Sequence, residues 1–109
     1  LSAVEYDAAG PAPLTSVEVD KTVSAHSVGY FSSFMSFKAN DVVAFNCSYS
    51  PSSANMDFGV VSSTGKFHLI NVKGGSISQT IGINQAGSYA VAVRNNSSQT
   101  VRVVGFVNY

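Results

Sequence analysis

The chain has no tryptophan, one cysteine, three leucines and two glutamates in 109 residues. Charged residues make up 11% of it, six Lys+Arg against six Asp+Glu, and the formal net charge is zero. Each scarcity excludes something. A neutral chain lacks the basic footprint that non-specific attachment to nucleic acid or anionic membrane requires. A lone Cys47 cannot close an internal disulfide, so this is not a stapled scaffold. Few Leu and Glu mean few strong helix formers, and no window repeats apolar residues at i, i+3, i+4, i+7. No run approaches the roughly 18 apolar residues of a bilayer-spanning helix. With 45% hydrophobic residues and no net charge, the chain is also too apolar for disorder.

What is abundant belongs in strands. Valine occurs 16 times, isoleucine four and threonine five, with 11% aromatic residues. β-Branched and aromatic side chains fit a pleated, half-buried surface. The fold expected is all-β, an antiparallel β-sandwich of jelly-roll or Greek-key type with about eight strands. Residues 1–14, with Gly10, Pro11 and Pro13, read as a flexible or edge N-terminal arm, with a swapped strand as its alternative. Residues 15–109 read as the sandwich domain. Strand-like runs lie near 15–24, 28–37, 41–49, 56–62, 66–72, 76–83, 87–95 and 99–109. Val43, Phe45, Cys47 and Tyr49 alternate with Ala44, Asn46 and Ser48, and Ile77 and Ile81 alternate with Ser78 and Thr80. A period of two with one apolar face marks a strand lying on a core. Cys47 is therefore expected to be a small buried hydrophobe.

The turns are chemically explicit. Ser50–Asn55 is a loop by composition, and Ser62–Gly65 and Lys73–Gly75 read as hairpin connections in which Gly supplies positive φ. Asn96–Ser98 reads as a three-residue hairpin loop, pairing position 93 with 101, so that Tyr89, Val91 and Val93 share a face with Val101, Val103 and Val107. The opposite face of that hairpin would carry Ala90, Ala92, Val104 and Phe106, with Arg94 and Arg102 as diagonal neighbours. Such a face is too apolar for plain solvent. It is either covered by another strand or the N-terminal arm, or it is a contact surface.

Asn84–Val93 places Gly87 two residues before Tyr89 at the start of a strand, which resembles the tyrosine corner of Greek-key sandwiches. The longer pattern runs through Ala86, Gly87, Ser88, Tyr89, Val91, Val93, Asn95–Ser98, Val101, Val103, Gly105 and Tyr109. It resembles the closing segment of secreted bacterial jelly-roll modules similar to the prepeptidase C-terminal and Golgi-dynamics-like domains. Phe37–Val43 fits the turn and strand that open such modules. The resemblance covers residues 37–109 loosely and 84–109 best. It implies secretion, a jelly-roll-like sandwich and a binding or accessory role. Some members hold Ca²⁺ in carboxylate clusters, but Asp41 and Asp57 are scattered and no Asp-x-Asp pair occurs, so no metal ligand is carried over.

No catalytic pattern emerges. There is no Gly-x-Ser-x-Gly elbow, His26 and His68 are far apart in sequence, and Cys47 with two distant histidines has no zinc spacing. Lys73–Ser76 lacks the order of a phosphate loop. No cofactor and no enzyme activity are expected, a small hydrolase being the distant alternative. The chain opens at Leu1 rather than Met, as one starting at its mature residue would. The function expected is a non-catalytic secreted or cell-surface module that binds a protein partner or self-associates, with Arg94, Arg102, Val104 and Phe106 as binding residues. The alternative is a carbohydrate-binding module using Tyr30 and Tyr49 as stacking rings, since Tyr30, Phe31, Phe34 and Phe37 crowd one run.

A tyrosine corner at Asn84–Tyr89 makes a measurable difference. Tyr89→Phe, which leaves a backbone partner unpaired, is expected to cost about 1–3 kcal/mol. That is on the order of 5–20 °C in melting temperature for a domain of this size. Tyr109→Phe, at a chain end, should shift it far less, and thermal melts of the two variants side by side are the check.

Overall fold

The computed structural model describes residues 15–109; the N-terminal arm assigned to 1–14 lies outside the described residues. Nine strands follow: β1 (Ser16–Val23), β2 (Val28–Tyr30), β3 (Met35–Phe37), β4 (Val42–Ser50), β5 (Met56–Ser62), β6 (Phe67–Val72), β7 (Ser76–Gly82), β8 (Gly87–Asn95) and β9 (Val101–Asn108). They form two antiparallel sheets, one ordered β1-β9-β4-β7 and the other β2-β8-β5-β6, with β3 also pairing β8. Because β2 and β3 pair successive parts of one strand, they count as one interrupted strand. The sheets are then ordered 1-8-3-6 and 2-7-4-5, the strand order of a jelly roll. The all-β sandwich expected from the sequence is the fold observed.

The interruption has a local cause. Between Tyr30↔Ala92 and Met35↔Tyr89, the four residues 31–34 face only residues 90 and 91 of β8. The backbone N–H of Val91 donates to the Ser32 hydroxyl at 2.9 Å, so a side chain takes the place of a ladder carbonyl. Serine competes with the backbone in this way wherever a strand bends.

Two expected hairpins are crossings instead. β8 lies in the five-stranded sheet and β9 in the four-stranded one, so 93 does not pair with 101. Val93 pairs with Gly29 and Phe58, while Val101 pairs with Val23. Facing parity is still obeyed, because Val91 and Val93 meet Val101, Val103 and Val107 across the core rather than along one sheet. Lys73–Gly75 likewise carries β6 of one sheet to β7 of the other, with Gly74 and Gly75 at positive φ. Among the described residues, only Ser63–Lys66, between β5 and β6, closes a tight hairpin within one sheet, and Gly65 there has φ +86°.

The inward faces supply one core. Val43, Phe45, Cys47 and Tyr49 lie opposite Met56, Phe58 and Val60, with Phe45 and Phe58 in edge contact at 5.7 Å between ring centroids. Burying side chains of this size contributes about 1.5–3 kcal/mol each. Cys47 is buried, and burial pushes its thiol up to about 11, so it stays protonated and unreactive at neutral pH. The Tyr89 hydroxyl donates to the Gln85 carbonyl at 2.7 Å while its ring packs on Phe37 and His68, which is the geometry of a tyrosine corner. A Cβ on Gly87 would meet only the Tyr89 ring at 3.5 Å, so no close approach demands glycine there.

Gly105 is different. It has φ +142°, and a Cβ there would stand 2.2 Å from the Asn46 carbonyl oxygen of the neighbouring strand. Both the conformation and the approach of β9 to β4 therefore exclude a side chain. Gly105→Ala is expected to cost about 3 kcal/mol or more, measured as a fall in the urea midpoint.

Candidate functional site

The residues expected to form one binding face are divided between two. β9 lies between β1 and β4, and its even-numbered residues point away from the core. Arg102, Val104 and Phe106 therefore share the outer face of the four-stranded sheet. Phe106 pairs with Glu18 and Asn46, Val104 with Asp20 and Ser48, and Arg102 with Thr22 and Ser50. Phe106 is 48% exposed in the middle of this face. Around it stand short polar side chains, with Ser78 donating to Asn46 Oδ1 at 3.0 Å. Arg102 grips Asp20 with two hydrogen bonds, Nε to Oδ1 at 2.9 Å and a terminal nitrogen to Oδ2 at 2.8 Å. This hydrogen bond, reinforced by the guanidinium charge, holds the Asp20 carboxyl below its ordinary value. Both partners remain open to water, so the pair adds little to stability.

Arg94, Ala90, Ala92 and Tyr30 lie on the outer face of the other sheet, on the far side of the sandwich. Arg94 and Arg102 are therefore not neighbours, and the mixed face read from the sequence does not exist. Its premise was a β8–β9 hairpin, and the crossing separates the two arginines. Ala90 and Ala92, together with Val61 and Leu69, are buried although they point away from the central core. The Arg94 guanidinium carbon sits 5.3 Å from the centre of the Phe67 ring on this side, a cation–π contact.

At one end of that face lies a polar cluster that sequence reading missed. Asp57 on β5 is 6% exposed. Its Oδ1 accepts from the Asn71 amide at 2.7 Å, and its Oδ2 accepts from Asn96 at 2.8 Å and Arg94 Nε at 3.0 Å. Asn55 Oδ1 accepts from both Asn71 and Asn96, closing the cluster. Burial alone would raise the Asp57 pKa, but these hydrogen bonds and the Arg94 charge outweigh it and hold the carboxyl below its ordinary value. The only signal in the sequence was an Asp at an alternating strand position opposite an Arg three strands later, and that requires the β5–β8 register. Chemically the cluster is satisfied and pinned, which suits a fastening rather than a reactive acid.

The aromatic residues sort cleanly. Tyr49 is buried, donating to the Ala54 carbonyl at 2.9 Å and the Val72 carbonyl at 3.3 Å, so it is no exposed stacking ring. Its strand parity already placed it with Val43 and Phe45. Tyr30 and Phe34 are about half exposed at the edge where β2 and β3 meet β8, whereas Phe37 is buried and Phe31 packs on the core. His26 occupies a turn at φ +54°. Among the described residues, no three of His, Cys, Asp and Glu converge to hold a metal ion, and no helix is long and apolar enough to cross a membrane. Compared with protein-family models, curated proteins and solved structures, the chain matches none.

Because the folded pKa of Asp57 is lowered, its stabilisation is present above the unfolded value of about 4 and is lost as pH falls through the folded one. Asp57→Asn is expected to cost about 1–2 kcal/mol at pH 7. The gap from wild type should shrink on titration from pH 5 to pH 2, read from urea unfolding midpoints.

Proposed function

We propose that the protein is a non-catalytic interaction module, secreted or displayed at the cell surface, that uses the outer face of its four-stranded sheet to bind a protein partner or a second copy of itself. The observation that carries this reading is Phe106, a large ring held half exposed on an interior strand. It is flanked by Val104 and by the bidentate Arg102–Asp20 pair. Aromatic and arginine side chains over a polar margin are the composition of interface centres. The placement outside the cell rests on the resemblance of residues 84–109 to secreted sandwich modules. The absence of a recognisable nucleophile, base and acid grouping in the sequence supports a binding role over a reaction.

Phe106→Ser tests the reading, since an exposed position should tolerate the change within about 0.5 kcal/mol. Two measurements follow: sedimentation over rising protein concentration, and affinity capture from the native extracellular fraction. Wild type should self-associate or retain a defined protein, and the variant should lose that association while melting at the same temperature. Identical behaviour of the two proteins in both measurements would remove the proposal.

A further inference from the structure

The edges of the two sheets are not alike. β1 closes the four-stranded sheet with Glu18, Asp20 and Lys21 along it, and at the end of the other sheet β2 and β3 are interrupted. Charges and breaks of this kind keep an edge from pairing with another chain. β6 is uncharged, but Leu69 near its centre is buried. Among the described residues, β7 has none of these protections. Ser76–Gly82 runs unbroken beside β4, with no charge and no proline. Ser76 and Ser78 are exposed, and Thr80 and Gly82 are half-buried. The Tyr49 N–H donates to the Gly75 carbonyl and the Ile83 N–H to the Asp41 carbonyl, which fixes the phase of the β4–β7 ladder. Odd-numbered residues of β7 therefore bond to β4, and Ser76, Ser78, Thr80 and Gly82 turn their N–H and C=O groups outward along the edge.

That edge is complementary to itself. Laid antiparallel against a second copy in the register centred on Gln79, Ser76 stands opposite Gly82 and Ser78 opposite Thr80, in both directions. Each such pair exchanges two main-chain hydrogen bonds. No other antiparallel register pairs all four outward-turned residues. On the outer face the hydroxyls of Ser78 and Thr80 come side by side, a favourable cross-strand pair. Lys73, the nearest charge in the chain, falls opposite Gln85 rather than its own copy, so no like charges meet. We propose that β7 is a dimerisation edge, on which a second copy of this chain pairs its own β7 about a two-fold axis. The two four-stranded sheets then form one continuous sheet, with the Phe106 rings of both copies on the same face. The pairing uses the β7 backbone, with β4 standing between it and the strand that carries Phe106. This edge and the interface on the sheet face therefore stand or fall separately.

The full chain, ¹⁵N-labelled, is followed by sedimentation and by amide hydrogen exchange over rising protein concentration. The expected result is a monomer–dimer equilibrium in which the amides of Ser76, Ser78, Thr80 and Gly82 become protected in step with the dimer fraction. Ser78→Pro removes an outward N–H that β4 does not use, and an edge strand tolerates proline at such a position. Thr80→Lys sets a charge on the edge, the protection that β1 already has. Each change acts twice in a two-fold dimer, so both should weaken association about tenfold or more. The amide spectrum of either variant, taken dilute, should remain that of the native fold. A monomer at every concentration up to the solubility limit would overturn the proposal. So would equal protection of these amides at every concentration, which is cover from within the chain, or dimers that persist in both variants. Concentration-dependent changes centred on Val104 and Phe106 would overturn it too, while leaving the sheet-face reading in place.

Discussion

Everything in this molecule depends on carrying the chain from one sheet to the other without leaving a buried polar group unpaired. Asn95 shows how that is done. It is fully buried at the end of β8, where the chain leaves one sheet for the other. Its amide nitrogen donates to the carbonyls of Val23, Ser24 and Gln99, and its Oδ1 accepts from the backbone and hydroxyl of Ser97. One side chain thus joins the end of β1, the end of β8 and the approach to β9. Without those partners the crossing would bury several orphaned groups at a cost that a small domain could not offset. Tyr49 and Tyr89 act in the same manner at two other crossings, each using a phenol to hold a loop carbonyl, that of Ala54 or Gln85, while its ring extends the core.

With the crossings pinned, the two sheets press their inward faces together and leave their outward faces to develop separately. The four-stranded sheet presents short hydroxyl and amide side chains with Phe106 among them. The five-stranded sheet keeps Ala90 and Ala92 buried on its outward side and is fastened at one end by Asp57 and its partners. Neither arginine is free for long-range attraction, since each is already matched to an aspartate. What the outer faces offer is therefore shape, ring surface and hydrogen-bonding groups, in keeping with the zero net charge.

Much of the strand pattern was readable beforehand. The runs at 56–62 and 87–95 coincide with β5 and β8, and β1, β4, β6, β7 and β9 differ from expectation only at their ends. The run at 28–37 misled because Ser32 and Ser33 sit among aromatics whose periodicity alone looks continuous. Apart from Tyr49, the candidate binding residues were legible as outward-facing positions but not as neighbours. Arg102, Val104 and Phe106 do share a face; Arg94 does not join them, Tyr30 is on the other side, and Tyr49 is inside. Asp57 was not legible as a site residue, because what distinguishes it is the company it keeps across strands distant in the chain.

By itself, then, the sequence determined the composition of a sandwich, where most strands lie to within two residues, and which side of those strands meets a core. Those properties follow from a side-chain period of two and from turn chemistry, both of which are local. Which strands pair, and whether Asn96–Ser98 folds back within a sheet or steps across to the other, was decided only by tertiary structure. The physical reason is that inward-facing valines satisfy the same burial whether they lie beside one another or face one another across the core. The packing of Phe45 on Phe58 and the bonding of Asn95 are contacts that the crossed arrangement makes.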